Sequence, residues 1–97
     1  MWLVISYDIP SPESSVYRQV RRKLLQAGFA FPQKSLAWKW VQSAEKAVSI
    51  QKKIGSAASA GHLLFWRIPD QVFAGGTCLE NGVEKTMPHI PSPWIIV

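Results

Sequence analysis

The opening run Trp2-Leu3-Val4-Ile5-Ser6-Tyr7-Asp8-Ile9 limits the possible folds more than any other segment of the chain. It is rich in β-branched and aromatic residues and almost continuously apolar, which predicts a central strand covered on both faces. Pro10 ends it, because proline has no ladder donor. The run does not read as a signal peptide: it is short, Asp8 interrupts it, and neither a basic region nor a small-residue cleavage site flanks it. No stretch approaches the ~20 apolar residues of a membrane span. The expectation is a soluble, cytoplasmic protein with no membrane partner.

Beyond the first strand the chain alternates regularly. Ser11-Pro12-Glu13 carries helix-start chemistry: an N-cap hydroxyl, a proline suited to the first helical position, and an acid for the positive helix end. Val16, Val20, Leu24 and Ala27 then form a stripe at helical spacing, and Gly28 is a natural left-handed stop. Gly28 to Pro32 predicts a short second strand and Pro32-Gln33-Lys34 a turn. Ser35 to Val41 sets Leu36, Trp38 and Trp40 against Ala37 and Lys39, the alternation of a half-buried strand. Ser43 starts a second helix with Ala44, Ala47, Val48, Ile50 and Ile54 on its apolar side and a stop expected near Gly55. His62 to Ile68 predicts a fourth strand, closed by Pro69. The order βαββαβ predicts an α+β domain of ferredoxin-like type, with a four-stranded antiparallel sheet and two helices on one face.

This domain is expected over residues 1–70. Residues 71–97 form a Gly/Pro-rich extension, with Gly75-Gly76, Asn81-Gly82, Pro88, Pro91 and Pro93, and no clear period. The chain then runs into Trp94, Ile95, Ile96 and Val97. Four large apolar residues suit an extra C-terminal strand at a sheet edge, in the same chain or across a dimer interface. A tail packed on its own core is the other reading.

Ninety-seven residues allow one modest core and little room for a deep substrate cavity unless a second copy helps to build it. Apolar residues make up 47% of the chain and charged residues only 18%, which argues against disorder. The net charge of +5 suits a polyanionic partner. Arg18, Arg21, Arg22 and Lys23 crowd the first helix, and Lys34 and Lys39 add charge at the expected hairpin. Phosphate contacts need such charge, and Arg adds bidentate geometry, although a solvated helix face has the same composition. The lone Cys78 forms no intramolecular disulfide, and His62 and His89 have no second ligand at metal-site spacing. Neither a phosphate-binding loop nor a nucleophile elbow is present. Asp8, at the end of the first strand, is the one carboxylate in a telling place. It could cap a turn or serve as a Mg²⁺ ligand, better in two copies across a two-fold axis.

Ser6-Tyr7-Asp8-Ile9-Pro10, the basic first helix, Gly28, and Gln33-x-Ser35 before the third strand together resemble the small CRISPR-associated adaptation protein family, Cas-two, over about residues 1–70. The resemblance implies a ferredoxin-like homodimer, with a C-terminal strand of each subunit packed on the other. It also implies a subunit that scaffolds the Cas integrase and supports duplex DNA during spacer acquisition in antiviral defence. In this reading Arg18, Arg21, Arg22, Lys34 and Lys39 contact nucleic acid and Trp94 to Val97 the second subunit. The alternative that the family suggests is a Mg²⁺-dependent endonuclease on RNA or DNA, with Asp8 as catalytic metal ligand. This chain departs from the family in having Pro10, Ser11 and Pro12 after the aspartate and Trp38-Lys39-Trp40 near the end of the third strand. A similar fold and first strand occur in phenylacetate-type repressors and chromate-resistance regulators, which leaves a stand-alone regulator or interaction module as a further reading.

Overall fold

The computed structural model describes residues 1–9 and 14–88. Along the chain the elements are β1 (Trp2–Asp8), α1 (Ser14–Gln26), β2 (Ala30–Gln33), β3 (Leu36–Trp40), α2 (Ala44–Ala57), β4 (His62–Ile68), α3 (Asp70–Ala74), β5 (Cys78–Glu80) and β6 (Val83–Lys85). As its apolar character predicts, β1 lies inside a four-stranded antiparallel sheet of order β2-β3-β1-β4. It pairs with β3 from Trp2 opposite Trp40 to Ser6 opposite Leu36, and with β4 from Trp2 opposite Ile68 to Asp8 opposite His62. Because every neighbour is antiparallel, β1 and β2 run the same way with β3 between them, and β3 and β4 run the same way with β1 between them. The register between β2 and β3 breaks between Ala30 and Gln33, where Pro32 cannot donate to the ladder.

The pleat sends alternate β1 residues to opposite layers. Leu3, Ile5 and Tyr7 join Val16, Val20 and Leu24 of α1 and Ala47 and Ile54 of α2 in the main core, so both long helices cover one face. Trp2 and Val4 point the other way, into a smaller cluster with Phe73 of α3, flanked by Leu36, Trp38, Trp40, Ile68 and Met87. Phe73 stacks on Trp2 at 4.1 Å between ring centroids and meets Trp38 edge-on at 5.2 Å.

Helix ends obey local chemistry. Ser43 caps α2, its hydroxyl accepting from the Lys46 N–H at 3.2 Å. The stop expected near Gly55 falls two residues beyond it, at Ala57, and Gly55 itself is an exposed position in the last turn with open space around its Cα. At the end of α1 the Gly28 N–H donates to the Leu25 carbonyl and the Phe29 N–H to the Leu24 carbonyl. This is the paired closure of a Schellman motif, with Gly28 at φ +87°. Ser11, Pro12 and Glu13, expected to start α1, and Trp94 to Val97, expected as an extra strand, lie outside the described residues.

The extension is more ordered than its missing period implies. It holds α3 and a β5–β6 hairpin that turns at Asn81 (φ +53°) and Gly82 (φ +79°). Both residues of a two-residue type I′ turn need positive φ, which Asn-Gly supplies.

Candidate nucleic-acid interface

Helix α1 contains four cations and no acid between Ser14 and Gln26. Arg18 and Arg22, one turn apart, are exposed, whereas Arg21 is half-buried and turns toward the β2–β3 connection. Its guanidinium carbon lies 4.3 Å from the centroid of the Phe31 ring, within the range of a cation–π contact. The connection is held to the rest of the fold by two phenols. Tyr17 Oη and Tyr7 Oη both donate to the Lys34 carbonyl, at 3.0 and 3.2 Å, with the two rings 5.4 Å apart. Burial pushes the Tyr7 hydroxyl up to about 12. Tyr17 adds to the shift, and Arg21 opposes it by favouring the anion.

Between α1 and this connection lies an open cleft of about 430 Å³, lined by Tyr17, Arg21, Phe31, Pro32, Gln33 and Lys34. No carboxylate lines it. Among the described residues the one ion pair joins the Met1 amino group to Asp70, 3.0 Å apart, so no cation of the cleft or of α1 is neutralised by a described acid. Such an arrangement can take up phosphate oxygens: the Arg fork bidentately, Lys as a mobile point charge.

Arg18, Arg21, Arg22 and Lys34 are thus brought to one side of the molecule. Lys39 is not. Strand alternation puts it on the Ala37 side, under the helices, and a Cβ at Gly28 would fall 2.9 Å from Lys39 Nζ. Half-buried at the end of α1, it answers the negative end of that helix. Sequence reasoning missed Tyr7, Tyr17, Phe31 and Gln33 as parts of this surface. The legible signal was Tyr17 one helical turn before Arg21.

Asp8 is exposed at the end of β1, with His62 as its cross-strand partner. The close approach is made possible by Gly61 at φ +81°, where a Cβ would lie 2.6 Å from the Asp8 carbonyl oxygen. The described donors do not fit Mg²⁺. That ion wants an octahedron of oxygens, and here one carboxylate faces one imidazole, with no group of three acidic, His or Cys side chains among the described residues. By alternation Asp8 lies on the sheet face away from α1, apart from the cleft.

That face is apolar. Leu36, Trp38, Leu64 and Trp66 occupy its strand positions beside Val4 and Ser6, and Leu64 (56%) and Trp66 (45%) are the most open of them. Phe73 and Met87 cover the end of the face around Trp2, Val4, Trp38, Trp40 and Ile68 and leave Leu64 and Trp66 open. No helix among the described residues is long and apolar enough to cross a membrane.

Fold and surface together define a small α+β domain with a basic helix face on one side of its sheet and an open apolar face on the other. No protein-family model matches the chain, and no curated protein is significantly similar to it.

Proposed function

We propose that this chain is a homodimeric nucleic-acid-binding protein that holds a duplex by its phosphates through Arg18, Arg21, Arg22 and Lys34. The observation that carries the reading is this group of cations, on one side of the molecule, with no described carboxylate to neutralise it. Phosphate contacts position a protein on nucleic acid without reading its sequence, so the role is that of a scaffold. The split βαβ pairing of the sheet is compatible with a ferredoxin-like fold. The resemblance to Cas-two suggests the setting, a subunit that supports duplex DNA beside the Cas integrase during spacer acquisition.

The second copy belongs on the open sheet face. The strand positions of that face carry no Lys or Arg, and Asp8 adds a negative charge, so it suits an apolar twin better than a polyanion. An isologous contact there would leave both α1 surfaces free for the duplex.

Four phosphate contacts predict that log K falls with log salt at a slope of about −3.6 per protomer. A gel-shift series on a 30-base-pair duplex from 50 to 200 mM salt measures it. Arg18→Gln/Arg22→Gln should lose roughly half of the slope, with no change in sequence preference. Asp8→Ala, assayed beside it in Mg²⁺, should bind like wild type. Affinity that is flat with salt, or unchanged in the double variant, would overturn the reading.

A further inference from the structure

We propose that the cleft between α1 and the β2–β3 connection is a built subsite for a single phosphate group, gripped by the Arg21 guanidinium and the Lys34 ammonium. The proposal rests on the nucleic-acid reading for the source of that phosphate. It goes further by separating one organised subsite from a helix face that is merely charged.

Arg21 differs from its neighbours. Arg18 and Arg22 are exposed, whereas Arg21 is half-buried with its guanidinium over Phe31. The Phe31 ring restricts the guanidinium, and the part of its N–H edge not turned to the Tyr7 hydroxyl can pair with phosphate oxygens. Lys34 and Gln33 come from a connection whose backbone is tied down by two tyrosine hydroxyls on one carbonyl. The Arg21 guanidinium and the backbone that carries Lys34 are therefore placed before the ligand arrives, which lowers the entropy lost on binding, while the exposed Lys34 ammonium swings onto it.

The cleft also lacks what would make it self-sufficient. Two formal positive charges line it and no acid does. Phe31 and Pro32 give it apolar walls, where the field of the cations is less screened than on open surface. Its volume of about 430 Å³ falls in the range of small-ligand clefts, ~300–1,000 Å³. Burial holds the Tyr7 phenol in its neutral form, so it presents no anion to repel a phosphate.

The phosphate could belong to a strand backbone, a strand end, a free nucleotide or inorganic phosphate. The full-length chain, labelled with ¹⁵N, is titrated at constant ionic strength with inorganic phosphate, with a nucleoside 5′-monophosphate, and with duplexes with and without 5′-phosphates. The Arg Nε–Hε resonances and the Gln33 and Lys34 amides are monitored. Saturable shifts at Arg21, Gln33 and Lys34, with Arg18 and Arg22 nearly still, are expected. Arg21→Gln should weaken phosphate binding about 10–100-fold, as loss of charged hydrogen bonds does. Phe31→Leu, which keeps apolar bulk but not the ring face, should weaken it about 2–5-fold. Lys34→Gln changes an exposed turn side chain and cannot act through misfolding, and it too should weaken binding.

Tighter binding of the 5′-phosphorylated duplex assigns the subsite to strand ends, and equal binding assigns it to internal phosphates. Equal shifts at Arg18, Arg21 and Arg22, or an Arg21→Gln variant that titrates like wild type, would overturn the subsite. Duplex binding with no Arg21 response overturns the subsite and leaves the nucleic-acid reading standing. Arg21-centred phosphate binding in a protein that ignores duplexes supports the subsite and overturns the nucleic-acid reading.

Discussion

Phe73→Ala should be a severely destabilising truncation although it lies outside the main core. Helix α3 has five residues, too few to persist without tertiary support, and Phe73 is its one buried side chain, 4% exposed. The ring stacks on Trp2 at 9° between planes and meets Trp38 at 82°. Truncating a buried Phe costs about 3–5 kcal/mol, a large part of the ~5–15 kcal/mol that holds a small domain together. At roughly 4–8 °C per kcal/mol for a domain of this size, Tm should fall by about 12–40 °C. Phe73→Leu keeps most of the apolar area but loses two ring pairs at ~0.5–1.5 kcal/mol each, so it should lose about 1–3 kcal/mol. Val72→Ala, on the exposed side of the same helix, should stay within about 0.5 kcal/mol of wild type. Urea denaturation monitored by tryptophan fluorescence and far-UV circular dichroism separates the three. If Phe73→Ala unfolds at the same urea concentration as Val72→Ala, α3 is not clamped to the sheet and the Trp2–Val4–Phe73 layer does not hold it.

The Tyr7 hydroxyl stands near 12 against the usual 10, so the unfolded chain releases this proton at lower pH than the folded one. Its contribution is fully present below pH 10 and is lost as pH rises toward 12. Urea midpoints between pH 8 and 12 should therefore decline less steeply in Tyr7→Phe, and parallel declines would show that Tyr7 is not responsible. On the open sheet face, Trp66→Glu should convert a dimer into a monomer in sedimentation equilibrium without lowering the urea midpoint of the monomer, since the side chain is 45% exposed. A wild-type chain that sediments as a monomer would remove the twin from the proposed function.

Strands β1, β3 and β4 and both long helices were legible because they are long enough to show a period, whereas β2, expected over Gly28 to Pro32, runs Ala30–Gln33, so Pro32 and Gln33, expected in the turn, belong to the strand and the turn falls at Lys34-Ser35. Trp2 to Ile9, the Val16–Val20–Leu24 stripe and the Leu36–Trp38–Trp40 alternation each repeat their signal several times. Helix α3 does not, because five residues make little more than one turn and its one buried side chain is a Phe that meets Trp2 from far along the chain. The β5–β6 hairpin was legible in principle. Asn81-Gly82 is the dipeptide that a two-residue turn prefers, but the short flanking strands, largely exposed, offer no alternation to confirm it. Charge on α1 could be read directly, whereas the convergence of Tyr7, Tyr17, Phe31 and Lys34 on Arg21 is made by the sheet pairing and has no local signature. Lys39 shows the limit of charge counting. Its neighbour two residues back, Ala37, is fully buried, so the alternation that exposes a face of β3 also carries Lys39 under the helices.

The arrangement separates two kinds of surface that would interfere if they shared a face. Cations bordering an apolar patch would have to be desolvated when a second copy docked, at a penalty that unpaired charges do not recover. Here the strand positions of the open face hold no Lys or Arg, and the Arg cluster lies on a helix behind the sheet. The two layers are coupled mechanically all the same, because both hang on β1. Leu3, Ile5 and Tyr7 hold the α1 side while Trp2 and Val4 hold the other. Tyr7 also reaches through its hydroxyl to the Lys34 carbonyl at the cleft. Each face therefore positions the other through one strand, and this assigns the nearly continuous apolar run at the start of the chain its role: it is the shared floor of the basic α1 side and the open apolar face.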